Sequence, residues 1–348
     1  MQFAYYSYNH YMIYAINSVS AFEFWRNAKC QLNADQYSFD KRTLEDLPDY
    51  FEVKMNTEMA EFLTNQLKLS PPLHIVVPSI NQCKKYNSYL TTLRPKHLPP
   101  RSFVEVPCPG LGPMHKVLVA CPELCFVQLA PLLHFEELVY LGFELCGTYV
   151  FDKFAAAGQL RREQIATADS IRDYVSQAHD MKGLIKARQA AKYLIDNSNS
   201  PMESKIVTNA VLPFFRGGYA VPFPVLNERA QLTVKGEKAL RQDEVVPDAL
   251  WRRQRVTLEY DSDLTHLSSE QHDRDQNRSN AVTASDFKGI SFTRADFKNP
   301  ENSYMAFTTL RGVLGMRDEE ATLRKYADKR KEVFQRLFGQ KQSGIFRV

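Results

Sequence analysis

Hydrophobic and polar positions follow two kinds of pattern along this chain. Residues 73–77, 102–106 and 116–120 are short apolar runs, a pattern typical of buried strands. Residues 57–67, and the stretch that begins at Pro122, place apolar side chains at helical spacing instead. The combination predicts an α/β chain whose first part is an α+β region.

Two further strand-like runs, residues 245–251 and 255–263, lie closer to the C-terminal end. In the second run apolar side chains occupy every other position, so Glu259 and Asp261 point to the same polar face. The first run carries Asp248 directly after a proline. A hairpin of these two runs would therefore bring three carboxylates into one neighbourhood.

A tight turn at residues 252–253 would place Asp248 opposite Thr257. Asp248 would then be a diagonal neighbour of Glu259, about 7–8 Å away at the backbone, within reach of one hard cation for carboxylates that lean together. The pattern favours a site for Mg²⁺ or Mn²⁺. The alternatives are a solvated polar strand face and an Asp that only forms a turn after its proline.

Two helix starts have the sequence of a capping box. At Ser200 the cap residue is followed by Pro at the first helical position and by Glu203 three residues after the cap. Glu203 is predicted to close the helix start, and this role does not exclude a second one as a supporting acidic residue. The other pattern, at residues 268–271, starts a helix on which Arg274 and Arg278 share a face. That face either grips backbone phosphates or is solvated.

The order of these features resembles the small PD-(D/E)XK nucleases related to the very-short-patch-repair endonuclease. In that family an acidic residue on a first helix precedes an Asp on one strand and Glu-x-Asp on the next. A His, a helix with Arg-Asp-x-x-Arg and a closing strand follow. The resemblance covers about residues 200–297, and its matching pieces are Glu203, PDALW, LEYDSD, His266, HDRDQNRSNA and ISFTRADF. It implies a restriction-endonuclease-like mixed sheet flanked by helices.

The resemblance also implies metal-dependent hydrolysis of DNA. Asp248 and Glu259 would hold Mg²⁺ or Mn²⁺, and Asp261 would support them at the position where the wider superfamily places Lys. His266 would be a base or a phosphate partner, since its reference pKa lies near neutrality. Because Ser262 stands where the family usually has Gly, the alternative is an inactive nuclease fold that only binds DNA.

The middle of the chain has a second resemblance. Residues 73–150, with the segments ACPELCFVQLA and HFEELVYLGFELCGTY, are similar to the C-terminal region of abortive-infection antitoxins of type IV toxin-antitoxin systems. This resemblance implies a toxin or antitoxin partner and a role in bacterial defence. From patterning alone, Glu136, Glu137 and Glu144 are predicted to lie on a helix surface and not in a metal site.

The composition indicates the general class of protein and the partners that its charge permits. The chain has 348 residues, a net charge of +4 and a hydrophobic content of 44%, values that suit a globular protein and permit, without requiring, nucleic acid as a partner. Basic residues at 182, 186, 188 and 192 are either solvated or in contact with DNA. The predicted segments are an aromatic-rich 1–72, an antitoxin-like α+β region 73–160, a helical bridge 161–199, a nuclease-like domain 200–300 and a helical extension 301–348.

Six cysteines without zinc-site spacing predict reduced thiols, and no run has the length of a membrane span. We therefore expect a cytoplasmic protein without a membrane partner. The favoured function is a magnesium-dependent DNA endonuclease in bacterial defence or a toxin-antitoxin-type system. The alternative is a catalytically inactive nuclease fold that acts as a DNA-binding or antitoxin-like regulator.

Overall fold

The computed structural model describes residues 11–31, 37–151, 159–240, 242–261, 277, 280–317 and 319–339. These residues form a mixed α/β protein, which confirms the predicted fold class at that level. The chain divides into two compact units, Met1–Leu133 with Asp169–Ala191, and His134–Ala168 with Lys192–Val348. The predicted segment boundaries follow sequence character, not these units, and stay predictions.

One mixed sheet forms the centre of the first unit. Its strands are β1 (Met12–Ile16), β2 (Leu44–Glu45), β3 (Leu73–Val77), β4 (Tyr89–Leu93), β5 (Phe103–Val106) and β6 (His115–Ala120). Their spatial order is β2-β5-β6-β1-β3-β4, with β1 parallel to β6 and antiparallel to β3. The three apolar runs predicted as strands are therefore confirmed as β3, β5 and β6.

Five helices lie in the first unit or begin at its boundary, and α1 packs on this sheet. They are α1 (Ser18–Gln31), α2 (Thr57–Leu67), α3 (Pro122–Leu129), α5 (Ala168–Gln177) and α6 (Leu184–Ala191), while α4 (Phe135–Leu145) belongs to the second unit. α2 has the predicted bounds, because the Asn56 side chain accepts a hydrogen bond from the backbone of Met59 and caps it. α3 starts with Pro122 at its first position, as predicted.

Two of the basic residues considered for DNA contact have structural partners instead. The Lys186 ammonium donates to the carbonyl oxygens of Ala130 and Leu133, just after α3, at 2.8 and 2.9 Å. The Arg188 guanidinium donates to carbonyl oxygens near the end of α5. Both cations satisfy carbonyls left without partners at a helix end, where the helix dipole also favours positive charge.

The second unit contains a four-stranded sheet and most of the remaining helices. The strands of this unit, four of which form that sheet, are β7 (Tyr149–Phe151), β8 (Gln159–Arg161), β9 (Val225–Leu226), β10 (Ala230–Gln231), β11 (Glu244–Val245), β12 (Ala249–Trp251), β13 (Val256–Asp261) and β14 (Lys288–Thr293). The order in the sheet is β14-β13-β12-β9, where β13 is antiparallel to β12 and parallel to β14. The parallel pair needs a crossover, and residues 280–284, which are helical, lead into β14.

Five named helices follow in the described part of this unit: α7 (Pro201–Val211), α8 (Val234–Leu240), α9 (Pro300–Val313), α10 (Glu320–Lys325) and α11 (Ala327–Leu337). α4 packs on α7, and α11 contacts both. Within the helical extension predicted for residues 301–348, α10 and α11 are separate helices, because the chain turns at Tyr326. Val333, Phe334 and Leu337 on α11 are buried.

Two other predictions about this unit are wrong. The run 245–251 is not one strand: β11 and β12 are separate and pair with different partners, since Pro247 between them cannot donate to a ladder. The three glutamates expected on the surface of α4 are buried. Glu136 is ion-paired with Arg336, and the Glu137 carboxylate accepts the backbone N–H of His134.

Within the described residues, no helix combines the length and the apolar character needed to cross a membrane. The cysteines at 83, 108, 121, 125 and 146 are free thiols, which agrees with the prediction of reduced cysteines.

Candidate functional site

An acidic cavity lies in the second unit, where α7, β13 and the approach to β12 meet. We define it by its three carboxylate residues, Glu203, Asp248 and Glu259; its volume is about 520 Å³. The remainder of its lining is mostly polar: Gln159, Leu160, Arg161, Asn199, Asn227 and Val246. Three carboxylates predicted from separate sequence segments therefore share one cavity.

Glu203 reaches this cavity because the capping box at the start of α7 is only half formed. The Ser200 hydroxyl accepts the backbone N–H of Glu203 at 3.1 Å, as the pattern predicts. The Glu203 carboxylate does not return to the cap backbone. Its Oε2 instead accepts the N–H of Asn199 at 2.9 Å and the side-chain amide of Asn227 at 2.8 Å. The carboxylate is thus held among cavity residues.

Asp248 and Glu259 face each other across the hairpin. The pairs Ala249–Leu258 and Leu250–Thr257 fix the register, and its continuation puts position 248 directly opposite 259. The predicted pairing of Asp248 with Thr257 is therefore wrong by two positions, because the turn spans residues 252–255 instead of 252–253. The shift brings the two carboxylates closer than a diagonal pairing would.

One oxygen of Asp248 has a structural partner. Its Oδ2 accepts the backbone N–H of Tyr260 at 2.6 Å, while its own carbonyl accepts the N–H of Asn227 at 3.2 Å. Asp248 therefore joins β13 to the segment after β9. This contact fixes its carboxylate at the cavity wall.

The electrostatics of Glu203 are unusual for a carboxyl group. Burial, and after it the nearby Asp248 carboxylate, raise the pKa of Glu203 to about 7. The hydrogen bonds from Asn199, Asn227 and Ser200 oppose this shift without cancelling it. Near neutral pH the group is consequently divided between its neutral and charged forms. Carboxyl groups in this condition are enriched at functional sites.

The other predicted residues are less well placed or lie elsewhere. Asp261 ends β13, two positions beyond Glu259, and is not part of the cavity lining. His266, Arg274 and Arg278 lie outside the described residues, and their roles stay predictions. Sequence reasoning did not find Asn227, which holds the Glu203 carboxylate. No local motif marks it, because the contact crosses between segments 24 residues apart.

Arg161, on β8, also went unnoticed. Its side chain is exposed and lies in the lining of the acidic cavity, where it is the one cationic side chain among the described lining residues. A charge of this sign at the edge of a carboxylate cavity could contact a phosphate oxygen. Its position was hidden from the sequence because β8 lies far along the chain from β12 and β13.

The oxygen atoms that line the cavity are suitable ligands for a hard cation, but among the described residues they do not form a complete metal site. Carboxylate and amide oxygens are the ligands that Mg²⁺ and Mn²⁺ prefer. Among the described residues, however, no three side chains of His, Cys, Asp or Glu lie close enough together to hold a metal ion.

Comparison of the chain with family models, curated proteins and solved structures finds no match. The two resemblances noted above therefore rest on sequence motifs.

Proposed function

We propose that this protein is a metal-dependent DNA endonuclease whose active site is the acidic cavity. The observation that carries the proposal is the meeting of Glu203, Asp248 and Glu259 in one cavity of about 520 Å³. These residues come from a helix, the edge of one strand and the middle of the next. The same order, acidic helix, Asp, then Glu-x-Asp on a strand, is the one that the nuclease resemblance implies.

The arrangement around β13 also supports the proposal. A helical stretch at residues 280–284 precedes β14, which pairs in parallel with the strand that carries Glu259. The expected order of Glu-x-Asp strand, helix and closing strand is therefore compatible with this sheet. That this sheet and its helices form a restriction-endonuclease-like fold is part of the proposal.

In the proposed reaction, Asp248 and Glu259 would hold a divalent cation, with Glu203 and the Asn227 amide beside them. Such a cation, when bound, lowers the pKa of a water molecule and stabilises the leaving oxygen of a phosphodiester. Glu203 would accept or release a proton near neutral pH, because its pKa is about 7. Asp261 would orient Glu259 from the same strand, and His266 would be the second candidate base.

Binding of DNA would rest on cationic side chains. Arg161 would contact a phosphate close to the carboxylates, and Arg274 and Arg278 would contact backbone phosphates, as predicted from the sequence. These contacts position the duplex and carry no sequence information themselves. In bacterial defence, such an enzyme would be paired with a toxin or antitoxin partner, as the middle region's resemblance implies.

The direct test is cleavage of supercoiled DNA by the full-length protein with Mg²⁺ or Mn²⁺. Activity should disappear with EDTA and in Glu259→Gln. The matched control is Glu228→Gln, which removes a partly exposed carboxylate of the same unit that pairs with Arg252 outside the cavity. Cleavage that survives both EDTA and Glu259→Gln would refute the proposal, and so would intact DNA under every condition.

A second candidate function is an inactive nuclease fold that binds DNA as a regulator. It is favoured by the incomplete ligand set among the described residues and by the structural hydrogen bonds that engage the Glu203 carboxylate. A gel-shift assay with EDTA present separates the two functions. DNA binding that Glu259→Gln leaves unchanged, without cleavage in any metal, would establish the regulator.

A further inference from the structure

A second cavity of the same unit has the opposite character. We define the arginine cavity by the buried residues Asn209, Tyr219, Ser303 and Arg330; its volume is about 320 Å³. It lies between the end of α7 and the starts of α9 and α11. The remainder of the lining is largely apolar in its interior, with charged side chains at the rim: Pro300, Glu301, Tyr304, Met305, Arg324, Ala327, Lys331 and Phe334.

Arg330 is the central feature of this cavity, because it is a buried charge without a counter-ion. Only 8% of the residue is exposed, and no described carboxylate forms a salt bridge with it. Its Nη2 donates to the carbonyl of Leu323, and its guanidinium lies over the rings of Tyr219 and Tyr304 at 5.7 and 5.4 Å. The Tyr219 side chain also interacts with the Arg330 guanidinium. A buried cation whose neighbours are a carbonyl and two tyrosines, without a carboxylate among the described residues, is costly unless an anion completes its environment.

Three polar atoms of the cavity have unused hydrogen-bonding capacity. Arg330 Nη1, Asn209 Oδ1 and Ser303 Oγ are fully buried and make no hydrogen bond of satisfactory geometry with a described residue. The Tyr219 hydroxyl is their neighbour: burial raises its pKa, and the nearby Arg330 and Ser303 act against that rise. Buried polar groups in folded proteins almost always have partners, so these atoms are available to hydrogen-bond a ligand that enters the cavity.

The surroundings favour an organic anion as that ligand. α9 and α11, of 14 and 11 residues, both begin at this cavity, and helix starts carry positive partial charge. At the rim Lys331 is offset by Glu301, and Arg324 is paired with Glu320, so the positive charge of the cavity comes from Arg330. Tyr304, Met305 and Phe334 supply an apolar wall that a phosphate or sulfate ion would not use.

We propose that the arginine cavity binds a small amphiphilic organic acid with a single carboxylate. The carboxylate would accept hydrogen bonds from Arg330 Nη1 and the Ser303 hydroxyl, both of which can donate. The apolar part of the acid would lie against Phe334 and Tyr304. The volume is at the lower end of the range for small-molecule sites, so the ligand would be compact.

The experiment is calorimetric titration of the full-length protein with sodium octanoate and with sodium benzoate. Octanamide and benzamide are the matched neutral probes, with the same apolar parts and no charge. At least one carboxylate should bind, and its amide should bind about tenfold or more weakly, because a hydrogen bond to a charged group is lost. If neither carboxylate binds, or if each amide binds as well as its acid, the proposal is wrong.

Two substitutions test whether the carboxylate binds in the arginine cavity. Arg330→Met should weaken carboxylate binding by about tenfold or more, whereas Arg311→Met should leave it unchanged. Arg311 is the matched control: it is a buried arginine of α9 that donates to the Tyr219 carbonyl and lies over the Phe214 ring, yet does not line the cavity. Equal effects of the two substitutions would overturn the proposal.

A further variant does not depend on a buried arginine. Ala327→Phe should fill the cavity from the first position of α11, because Ala327 is half-buried and lines the cavity. It keeps Arg330 and should still abolish carboxylate binding. Unchanged binding in Ala327→Phe would place the ligand elsewhere and refute the site. Because none of these readouts involves DNA cleavage, the result is independent of the proposed nuclease function.

Discussion

Two buried glutamates of the second unit differ mainly in their neighbour. Glu136 lies in the first turn of α4 and Glu203 in the first turn of α7, and the exposed fractions of the two residues are 2% and 8%. Glu136 forms an ion pair of 2.5 Å with Arg336. Glu203 faces the Asp248 carboxylate, which together with burial raises its pKa. A buried carboxylate beside a cation has its charge compensated within the fold. A buried carboxylate beside a second carboxylate has a raised pKa and can exchange a proton or bind a cation.

The sharpest test of this distinction removes the charge that Glu203 faces. Asp248→Asn retains an oxygen that can accept the Tyr260 N–H, but it removes a proposed metal ligand. We expect the single-turnover rate of DNA cleavage to fall about 1,000-fold, since a cation contributes several kcal/mol to the transition state. Asp243→Asn, an exposed residue of the same unit, is the control. Full activity in Asp248→Asn would remove the acidic cavity from the mechanism.

The complementary change is made at Glu136. Glu136→Gln removes the buried charge that pairs with Arg336 and leaves Glu332, at 3.5 Å, as the ion-pair partner of Arg336 among the described residues. The free energy of unfolding should fall by about 3 kcal/mol, the low end of the range for breaking a buried ion pair. Urea denaturation measures it. DNA cleavage by the folded variant should match that of the parent protein, and a specific loss of cleavage would contradict the structural role of Glu136.

A pH series separates the two glutamates in another way. The pKa of Glu203 is about 7 in the folded protein and returns to about 4.5 on unfolding. Between these values the folded state binds more protons, so the free energy of unfolding should fall as pH rises from 4.5 to 7. This decrease in the free energy of unfolding is roughly 2 to 3 kcal/mol, because a shift of one pKa unit corresponds to about 1.36 kcal/mol. Glu203→Gln should lack this loss.

The measurement is urea denaturation of parent, Glu203→Gln and Glu136→Gln at pH 5 and pH 8. Glu136→Gln is the matched control and should keep the decline of the parent protein. Excess Mg²⁺ at pH 8 should stabilise the parent more than Glu203→Gln, because a bound cation removes the repulsion from Asp248. An identical pH dependence in parent and Glu203→Gln would show that Glu203 does not titrate in this range.

Local patterns predicted local structure well and tertiary partners poorly. α2 and β3 have the predicted bounds, because capping and apolar runs depend on neighbouring residues. The hairpin register was wrong, since a turn of four residues replaced one of two. The burial of Glu136 was missed, because its partner Arg336 is 200 residues away in the chain. The meeting of Glu203 with Asp248 was expected from the order of motifs, not from spacing.

The substitution with the smallest expected effect tests whether the helix cap at the start of α7 is separate from the role of the Glu203 carboxylate in the acidic cavity. Ser200→Ala removes the oxygen that accepts the Glu203 N–H and the hydroxyl that acts on the Glu203 carboxyl group, but it leaves the bonds from Asn199 and Asn227 to that carboxylate. Loss of an N-cap should lower the free energy of unfolding by about 1 kcal/mol. DNA cleavage and the pH decline of stability should both persist. If Ser200→Ala instead abolishes either one, then the cap, and not the Asn227 contact, positions the Glu203 carboxylate.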